Sequence, residues 1–393
     1  MRTFMFVAVV WLVLAVILES GHGELSKPQA NAAVNLKKSP TKEACLLTRL
    51  VASSVRLSEE AGGIIKNIMI SGDLKIVNKD QTGLMKDLQT EADRSAQMCI
   101  EQSLHEKFGE NLTIIGEENI SPPSKPFQAL LHPLPSSHHF HIIFKDNAIA
   151  AVPSSEVLRS DERVPNKLRS IELQDVIVWV DPMDGTSIFT KSKKNPALLR
   201  YVTVLIGITY KGRPVAGIVH QPFYDGEQSR TVWSIVGVGT FGLQKTGQQI
   251  MNLPKANGQM PPRVAVITFR SRSDLVQKAL DALVEKKLIS EVERAGGAGF
   301  KVLRCLEGAT AFVYAAGGTK KWDIAAPEAL LIAAGGTLSD MSGRQIWYDG
   351  PSVQLANNGG LLATAPGVNH QSFVDAIPQL VKDALPEKEA VRP

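Results

Sequence analysis

Apolar residues in the first part of the chain recur with helical spacing. They return at three- and four-residue intervals from about 43 to 70 and again along "DLQTEADRSAQMCIEQSLHEKF", which predicts two helices. Thr90 is a candidate N-cap for the second helix, and Asp93 three residues later completes a capping-box pattern. The run "LTIIGEEN" then predicts a short buried strand ending in Gly116, Glu117 and Glu118.

The middle of the chain is dominated by strand patterns. "VIVWV" predicts a buried strand, and "YVTVLIGITY", "PVAGIVHQPF" and "RTVWSIVGVGTFGL" predict a meander, because Gly and charged residues separate them. Before these strands, residues 120–172 are rich in Pro, Ser and His with weak periodicity, which predicts an irregular loop. His138, His139 and His141 fall in this loop, where no partner ligands have the spacing of a known metal site.

The second half of the chain alternates strand and helix patterns. The strands are "RVAVITF" and "AFVYAA", and the helices are "DLVQKALDALVEKKLI", a helix entered at Phe300, and an apolar helix in "KKWDIAAPEALLIAAGGTLSD". This alternation indicates α/β layers. Asp323 is expected to be the N-cap of the last of these helices, with Lys320 and Lys321 solvated just before it.

The N-terminus predicts a targeting segment. Residues 4–18 are continuously apolar and are followed by "ESGHGE", in which Gly21 and Gly23 suit a signal peptidase. A membrane span needs roughly 20 residues, and this apolar run is shorter. A cleaved signal peptide over residues 1–23 is therefore favoured over an uncleaved anchor. Contact with a membrane is expected only if the segment is an uncleaved anchor. Residues 24–42 then form a linker. Either interpretation places the remaining chain in the secretory pathway, in the ER or Golgi lumen or outside the cell, and makes the cytoplasm the less favoured location.

Composition and charge narrow the function classes. The 393 residues are 44% hydrophobic, which suits a large core, and the formal charge of +4 comes without a long basic run, so a nucleic-acid partner is not expected. Cys45, Cys99 and Cys305 form no CxxC pair, which argues for buried thiols and against a zinc site or a disulfide framework. Sequons at Asn111 and Asn119 agree with a secretory address.

Acidic side chains cluster at predicted strand ends and helix starts. Asp181 and Asp184 flank "PM" directly after a buried strand, where they form either a plain turn with Asx-type hydrogen bonds or a shared metal site. Glu117 and Asp323 occupy comparable places, and together these oxygen ligands would suit Mg²⁺ and a substrate phosphate. "GGAG" at 296–299 is a weak phosphate-cradle signal, since glycine-rich turns also arise for steric reasons.

Taken in order, these motifs resemble one family. "GDLKIV", "DLQTEADRSAQ", "LTIIGEEN", "VWVDPMDGT", "VTVLIGI", "AGIVHQPFY", "GGAGFK" and "KKWDIAAPEALL" resemble the lithium-sensitive, Mg²⁺-dependent 3'(2'),5'-bisphosphate nucleotidases of the inositol monophosphatase superfamily, over roughly residues 46–380. The resemblance implies an α/β fold, a five-layered α-β-α-β-α sandwich with the active site between two halves. Residues 43–245 would form an α+β half with the metal site, and residues 246–393 an α/β half with the nucleotide-contacting face.

The resemblance also implies roles for individual residues. Two or three Mg²⁺ ions would be bound by Glu117, Asp181, Asp184, Asp323 and the carbonyl of Met183. Several metals together activate a water and neutralise the leaving oxygen.

Further roles concern the water and the substrate. Asp93 and Thr186 would orient and deprotonate the attacking water, and the amides of Gly185 and Thr186 would hold the scissile phosphate. Gly297 and Lys301 match nucleotide-binding positions of the family.

The chain departs from the family in "FRSRS". Phe269 replaces a hydroxyl residue and Arg272 replaces a His that contacts the nucleotide. An Arg still binds phosphate, and does so bidentately, so Arg272 stays a candidate substrate contact.

The resemblance favours one activity over two alternatives. That activity is hydrolysis of the 3'-phosphate of adenosine 3',5'-bisphosphate, a by-product of sulfotransfer in the secretory lumen, with 3'-phosphoadenylyl sulfate as a further candidate substrate. The alternatives are an inositol phosphate phosphatase of the same superfamily, and a non-catalytic protein that binds a phosphate ligand. The presence of every expected acidic residue and of Thr186 argues against the non-catalytic alternative.

Overall fold

A computed structural model of the protein describes residues 43–79, 87–118, 151–226, 228–243, 263–269, 273–349 and 355–385. The helices in these ranges are α1 (Leu46–Ser71), α2 (Glu91–Phe108), α3 (Ser155–Leu158), α4 (Asn166–Arg169), α5 (Thr186–Phe189), α6 (Asp274–Glu285), α7 (Ala298–Leu306), α8 (Lys321–Ala333), α9 (His370–Ala376) and α10 (Gln379–Asp383). The strands are β1 (Val77–Asn78), β2 (Leu88–Gln89), β3 (Thr113–Gly116), β4 (Val176–Asp184), β5 (Thr203–Tyr210), β6 (Arg213–Asp225), β7 (Gln228–Ile235), β8 (Gly239–Phe241), β9 (Val264–Thr268), β10 (Glu291–Ala295), β11 (Ala311–Tyr314), β12 (Thr319–Lys320), β13 (Thr337–Ser339), β14 (Ala356–Asn357) and β15 (Leu361–Thr364). Short 3₁₀ turns cover Asp161–Arg163, Leu173–Asp175 and Pro196–Tyr201.

The first sheet has six strands in the order β3-β4-β5-β6-β7-β8. β3 runs parallel to β4, and every later neighbour pair is antiparallel. The predicted meander is thereby confirmed, although its third run divides into β7 and β8. The division falls at Gly237, whose φ of +84° belongs to the left-handed region that favours glycine.

The second sheet has five strands in the order β10-β9-β11-β15-β13. β9 is parallel to both β10 and β11, while β15 is antiparallel to β11 and β13. Parallel neighbours need a crossover. α6 connects β9 to β10, and α7 connects β10 to β11.

Three buried clusters show how helices and sheets are layered. In the first, α1 and α2 cover one face of the six-stranded sheet. In the second, α7 and α8 lie between the two sheets, where Trp179 of β4 and Phe312 of β11 are both buried. In the third, α6, α9 and α10 cover the outer face of the five-stranded sheet. This order of layers confirms the predicted α-β-α-β-α sandwich.

Residues Ala44–Pro393 cluster as one compact unit. The division into halves at residue 245 stays a prediction. Within the described ranges, none of the helices combines the length and apolarity that crossing a bilayer requires.

Helix starts follow local capping chemistry. The side chain of Thr90 accepts the N–H of Ala92, and the N–H of Thr90 donates to Asp93 Oδ2 at 2.7 Å, so the predicted capping box is confirmed. α7 begins at Ala298, two residues before the predicted entry at Phe300, because Gly297 takes the N-cap position.

The prediction for Asp323 was wrong in its detail. The N-cap of α8 is Lys320, which has extended backbone angles, and its N–H donates to Asp323 Oδ2 at 2.8 Å from three residues away. Asp323 is therefore the third helical residue and not the cap. Lys321 is 1% exposed, so the expectation that it is solvated was also wrong: it belongs to the first helical turn, which is buried.

Part of the predicted irregular loop is ordered. Residues 151–172 form short helical turns that bury Val157, Val164 and Leu168. The histidine cluster 138–141 and Asn119 lie outside the described residues, as do residues 1–42 with the expected signal segment and linker.

The cysteines are free thiols. Cys99 and Cys305 are buried, as predicted, while Cys45 at the start of α1 is partly buried.

We expect His220 to make stability depend on pH. This β6 residue is 2% exposed, its Nδ1 lies 2.9 Å from Thr231 Oγ1, and a Cβ on Gly62 would stand 2.3 Å from its Nε2. Burial lowers the pKa of His220 to about 3. In the unfolded chain His220 takes up a proton below about pH 6.5, but in the folded protein it stays neutral. The contribution of His220 to the free energy of unfolding is therefore complete above that pH and is lost as the pH falls.

Between pH 7 and pH 5 the free energy of unfolding should fall by about 2 kcal/mol because of His220. Urea unfolding at both pH values measures it, and His220→Gln is the control because the amide does not titrate. The variant's pH dependence should be weaker than that of the wild type by this amount. Equal dependence in both proteins would show that His220 is not the source.

Candidate active site

The strand β4 carries two acidic residues at its end. It continues through Asp184, and its pairing with β5 becomes irregular between Asp181 and Asp184. "DPMD" is therefore the end of a strand whose pairing shifts in register, and the interpretation as a plain turn was wrong. The expected Asx-type bond is nevertheless present, because Asp181 Oδ1 accepts the N–H of Met183 at 3.0 Å. Gly185, with φ of +101°, then turns the chain into α5.

A cavity of about 220 Å³ opens where these strands end. Its acidic wall consists of Glu117, Asp181, Asp184 and Asp323. Five further residues that the sequence analysis assigned to the site also line the cavity: Met183, Gly185, Thr186, Gly297 and Lys301. Because β3 and β4 are parallel neighbours, with the N–H of Glu117 donating to the Val180 carbonyl at 3.0 Å, Glu117 is placed next to Asp181.

The carboxylates of this wall share hydrogen bonds and repel one another. Asp181 bonds to both Glu117 and Asp323. Burial raises the pKa of Asp181 well above its usual range, and the charges of its acidic neighbours add to the shift. Burial, with the charges of Glu117 and Asp184, raises the pKa of Asp323 to about 8.

Such a set of oxygen donors fits a hard cation. Mg²⁺ prefers carboxylates and waters, and a cation among four close carboxylates would offset their repulsion. In the part of the chain that the structure describes, no three His, Cys, Asp or Glu side chains are already arranged to hold a metal ion. The carboxylates are instead engaged with one another, with backbone amides and with lysines.

Asp184 is held by hydrogen bonds from β5 and from the first turn of α7. Its Oδ2 accepts the N–H of Gly299 at 2.8 Å and the hydroxyl of Thr203 at 3.2 Å. Gly297 has φ of +65°, and a Cβ there would stand 2.8 Å from Asp184 Oδ2. The "GGAG" turn therefore has a steric role, because it lets the first turn of α7 approach Asp184.

Lys301 is a buried cation in the same wall. It is 3% exposed, its Nζ donates to the Gly297 carbonyl, and the ring of Phe312 lies 5.0 Å away. Burial lowers the pKa of Lys301 to about 8, although the charges of Asp184 and Asp323 act in the opposite direction.

Asp93 reaches the cavity through Thr186. The Thr186 hydroxyl donates to Asp93 Oδ1 at 2.8 Å and lies 3.1 Å from the Met183 carbonyl. Asp93 Oδ2 meanwhile accepts the N–H and hydroxyl of Thr90. Burial raises the pKa of Asp93 to about 6, against the effect of these hydrogen bonds. The same carboxylate thus completes the capping box of α2 with one oxygen and contacts Thr186 with the other.

Comparison with known proteins decides the family. The sequence signature of the Inositol monophosphatase family matches residues 46–382. The chain belongs to the inositol monophosphatase family. The 3'(2'),5'-bisphosphate nucleotidase 1 of Rattus norvegicus is 37% identical over 348 residues, 86% of this chain and 97% of that protein.

A second relative is similar over part of its length, and a solved structure shares the fold. The Golgi-resident adenosine 3',5'-bisphosphate 3'-phosphatase of Bos taurus is 32% identical over 242 residues, which are 58% of this chain and 59% of that protein. The crystal structure of extragenic suppressor protein suhB from Bartonella henselae has a similar fold, with a TM-score of 0.54 and 16% identity over 83% of this chain and 97% of its own. The inositol monophosphatase family is generally Mg²⁺-dependent.

In this member of the inositol monophosphatase family, sequence reasoning missed Lys79. Its Nζ lies 3.0 Å from Glu117 Oε1 and 3.1 Å from Glu118 Oε1. Burial acts to lower the pKa of Lys79, but the two carboxylates outweigh it and raise the pKa above its ordinary value. No local pattern pointed to this contact, because Lys79 follows the two-residue strand β1 in a polar stretch.

Thr268 and Tyr314 were also missed. Each is the last residue of its strand, β9 or β11, and both line the cavity. The position was a usable signal, since ligand sites in α/β proteins lie at the carboxyl ends of strands. Phe269 packs edge-to-face on Tyr201 with ring centroids 5.1 Å apart, and its neighbour Thr268 is one of the hydroxyl residues of the wall. Arg272 lies outside the described residues.

Proposed function

We propose that this chain is a Mg²⁺-dependent phosphatase that hydrolyses the 3'-phosphate of adenosine 3',5'-bisphosphate to AMP and phosphate. The observation that carries the proposal is the hydrogen bond from Thr186 to Asp93 at the edge of a cavity walled by four acidic side chains. The names of the rat and bovine relatives support the choice of nucleotide. 3'-Phosphoadenylyl sulfate is a second candidate substrate, since it carries the same 3'-phosphate.

Two or three Mg²⁺ ions would be held by residues of the acidic wall. The candidates are Glu117, Asp181, Asp184, Asp323 and the carbonyl of Met183. Bound metal would supply charge neutralisation and an activated water. The protein's own contribution is to hold these oxygens in place. The bond from Gly299 to Asp184 does this across the two halves of the chain.

The protein's acid–base machinery would be Thr186 and Asp93. Because the Thr186 hydroxyl donates its hydrogen to Asp93 Oδ1, the lone pairs of Thr186 Oγ1 are available to accept a hydrogen bond from the attacking water. A raised pKa near 6 suits Asp93 as the final acceptor of that proton, because a general base works best with a pKa near the working pH.

The substrate side would be bound by cationic and backbone groups. Lys301 in the cavity wall supplies positive charge, and the amides of Gly185 and Thr186 are candidate donors to the scissile phosphate. Gly297 lines the cavity at the point where α7 begins.

Arg272 is the proposed partner of the second phosphate. Arg272→Ala should lower kcat/KM for adenosine 3',5'-bisphosphate about tenfold or more, because a charge-assisted hydrogen bond contributes roughly 1.5–3 kcal/mol. Steady-state kinetics on this substrate and on one with only the scissile phosphate measure the effect, and the second substrate should be almost unaffected. Equal losses on both would indicate damage to the metal site. No loss on either would leave Arg272 without this role.

Inhibition by Li⁺ is expected from the family's lithium sensitivity. The degree of inhibition should change with Mg²⁺ concentration, because both ions would compete for a loosely held position in the acidic wall. Phosphate release at several Mg²⁺ concentrations, with K⁺ replacing Li⁺ as the control, tests this. Turnover that Li⁺ leaves unchanged at every Mg²⁺ concentration contradicts a family-type metal site.

We also propose a location in the secretory pathway. The apolar run at residues 4–18 and the Golgi residence of the bovine relative support it. Asn111, in the turn before β3, is exposed and could accept a glycan there. In that compartment the enzyme would clear the nucleotide that sulfotransfer releases.

A further inference from the structure

Gln97 makes an unusual pair of hydrogen bonds beside the cavity. Its Nε2 donates to the Glu118 carbonyl and its Oε1 accepts the Glu118 N–H, both at 2.8 Å. Gln97 is 1% exposed and lies four residues after Asp93 on α2, so both side chains leave the same face of this helix. One helix face thus holds Asp93 and grips the chain directly after Glu117.

The surroundings are shaped to admit this amide. A Cβ on Gly116 would stand 2.1 Å from Gln97 Nε2 and 2.4 Å from Cδ, so any other residue at the end of β3 would displace the side chain. The second hydrogen of Nε2 donates to Glu101 Oε1 at 2.8 Å. The orientation of the Gln97 amide is therefore fixed. A flipped amide would place its oxygen against the Glu101 carboxylate and its NH₂ group against the Glu118 N–H.

Glu117 is consequently held from two sides. Its own N–H bonds to the Val180 carbonyl of β4, and the next peptide is gripped by Gln97. Gln97 itself stays outside the cavity wall, as far as the described residues define it. Resting on the proposed function, we propose that Gln97 is a positioning residue that fixes the Glu117 carboxylate for Mg²⁺ and links it to the helix of Asp93.

A merely structural role would have a different consequence. A buried amide that only satisfies the Glu118 backbone would lower the stability of the protein without changing its affinity for Mg²⁺. A positioning residue changes that affinity, and residues that orient metal ligands typically change it 10- to 100-fold when they are replaced.

Calorimetric titration of the metal-free full chain with Mg²⁺ separates the two roles. Gln97→Met should raise the Mg²⁺ Kd 10- to 100-fold and raise the Mg²⁺ concentration for half-maximal phosphate release in parallel. Turnover should recover at saturating Mg²⁺. The matched control is Thr209→Val. Thr209 is also buried, at 1% exposed, and its hydroxyl accepts a hydrogen bond from Trp179 Nε1 at 3.0 Å. It pairs with Ile177 at the end of β4 that is far from the cavity. Its Mg²⁺ Kd should stay within about twofold of the wild type.

Gln97→Glu keeps the inference testable if the Met variant does not fold. It preserves the acceptor for the Glu118 N–H and loses the donor. The added carboxylate would by itself attract a cation, so a weaker Mg²⁺ affinity in this variant supports positioning. Unchanged or tighter binding in a folded Gln97 variant overturns this inference alone. A wild type that binds no Mg²⁺ overturns the proposed function and this inference with it.

Discussion

Asp181→Asn should lower turnover by about 10³-fold or more while the protein remains folded. Asp181 hydrogen-bonds to both Glu117 and Asp323 in the cavity wall. An amide has the same shape but supplies no negative charge. Metal ions stabilise the transition state of such reactions by several kcal/mol, and each change of about 1.36 kcal/mol alters the rate tenfold. Phosphate release under saturating Mg²⁺ measures the loss, and calorimetry should show weakened Mg²⁺ binding.

The stability of the metal-free variant should not fall. Removing the buried member of a group of four close carboxylates relieves like-charge repulsion, and the amide oxygen introduced by Asp181→Asn can still accept the N–H of Met183. Asp340→Asn is the matched control, since Asp340 is 2% exposed but pairs with Arg344 outside the cavity wall described here. That variant should keep its turnover. Near-normal phosphate release by Asp181→Asn would refute the assignment of Asp181.

Thr186→Val should lower kcat about 10²- to 10⁴-fold, which is the range for loss of a positioned proton acceptor. The substitution keeps the volume of the side chain and removes the hydroxyl that donates to Asp93 at 2.8 Å. KM should change little, because the lost contact is with the attacking water. Steady-state kinetics on adenosine 3',5'-bisphosphate measure both constants.

Thr186→Ser provides the control for this second variant. Its hydroxyl can reach the same oxygen of Asp93, so kcat should stay within about tenfold of the wild type. If Ser lowers kcat as much as Val does, a hydroxyl at this position is not sufficient for activity, and the methyl group of Thr186 is needed to hold that hydroxyl in place. If Val is as active as the wild type, the Thr186–Asp93 pair is not the acid–base machinery.

Periodicity and capping chemistry predicted the elements well because both are local. The capping box of Thr90 and Asp93, the helix from 46 to 71 and the meander all depend on residues a few positions apart. Local reasoning failed at α8, where Asp323 looked like a cap. Which residue is the N-cap depends on the backbone angles of Lys320, and a sequence pattern does not fix them.

The candidate site was predictable in its residues but less so in its contacts. Family motifs pointed to the four carboxylates and Thr186, and the structure places them on one cavity. The contacts of Lys79 and Gln97 join segments that are far apart in the chain, so no spacing rule reveals them. For Gln97 a partial signal existed, since it follows Asp93 by four residues on one helix.

Substrate preference is harder to predict from sequence motifs than the metal-site residues are, because it depends on all the residues that line the cavity. Thr268, Phe269 and Tyr201 show how one change is absorbed: Phe269 joins an aromatic pair, and Thr268 supplies a hydroxyl to the wall. We therefore expect ligand preference to depend on several residues of the wall and not on Phe269 alone.

The most direct test of the account is Mg²⁺-dependent phosphate release by the purified chain from adenosine 3',5'-bisphosphate, compared with inositol monophosphates at equal concentration. We expect AMP and phosphate in equal amounts, no release after chelation of Mg²⁺, and kcat/KM for the nucleotide at least about tenfold above that for the inositol phosphates. A preference for inositol phosphates would keep the fold and the metal site but contradict the proposed substrate. Absence of release from every substrate at saturating Mg²⁺ would contradict catalysis itself.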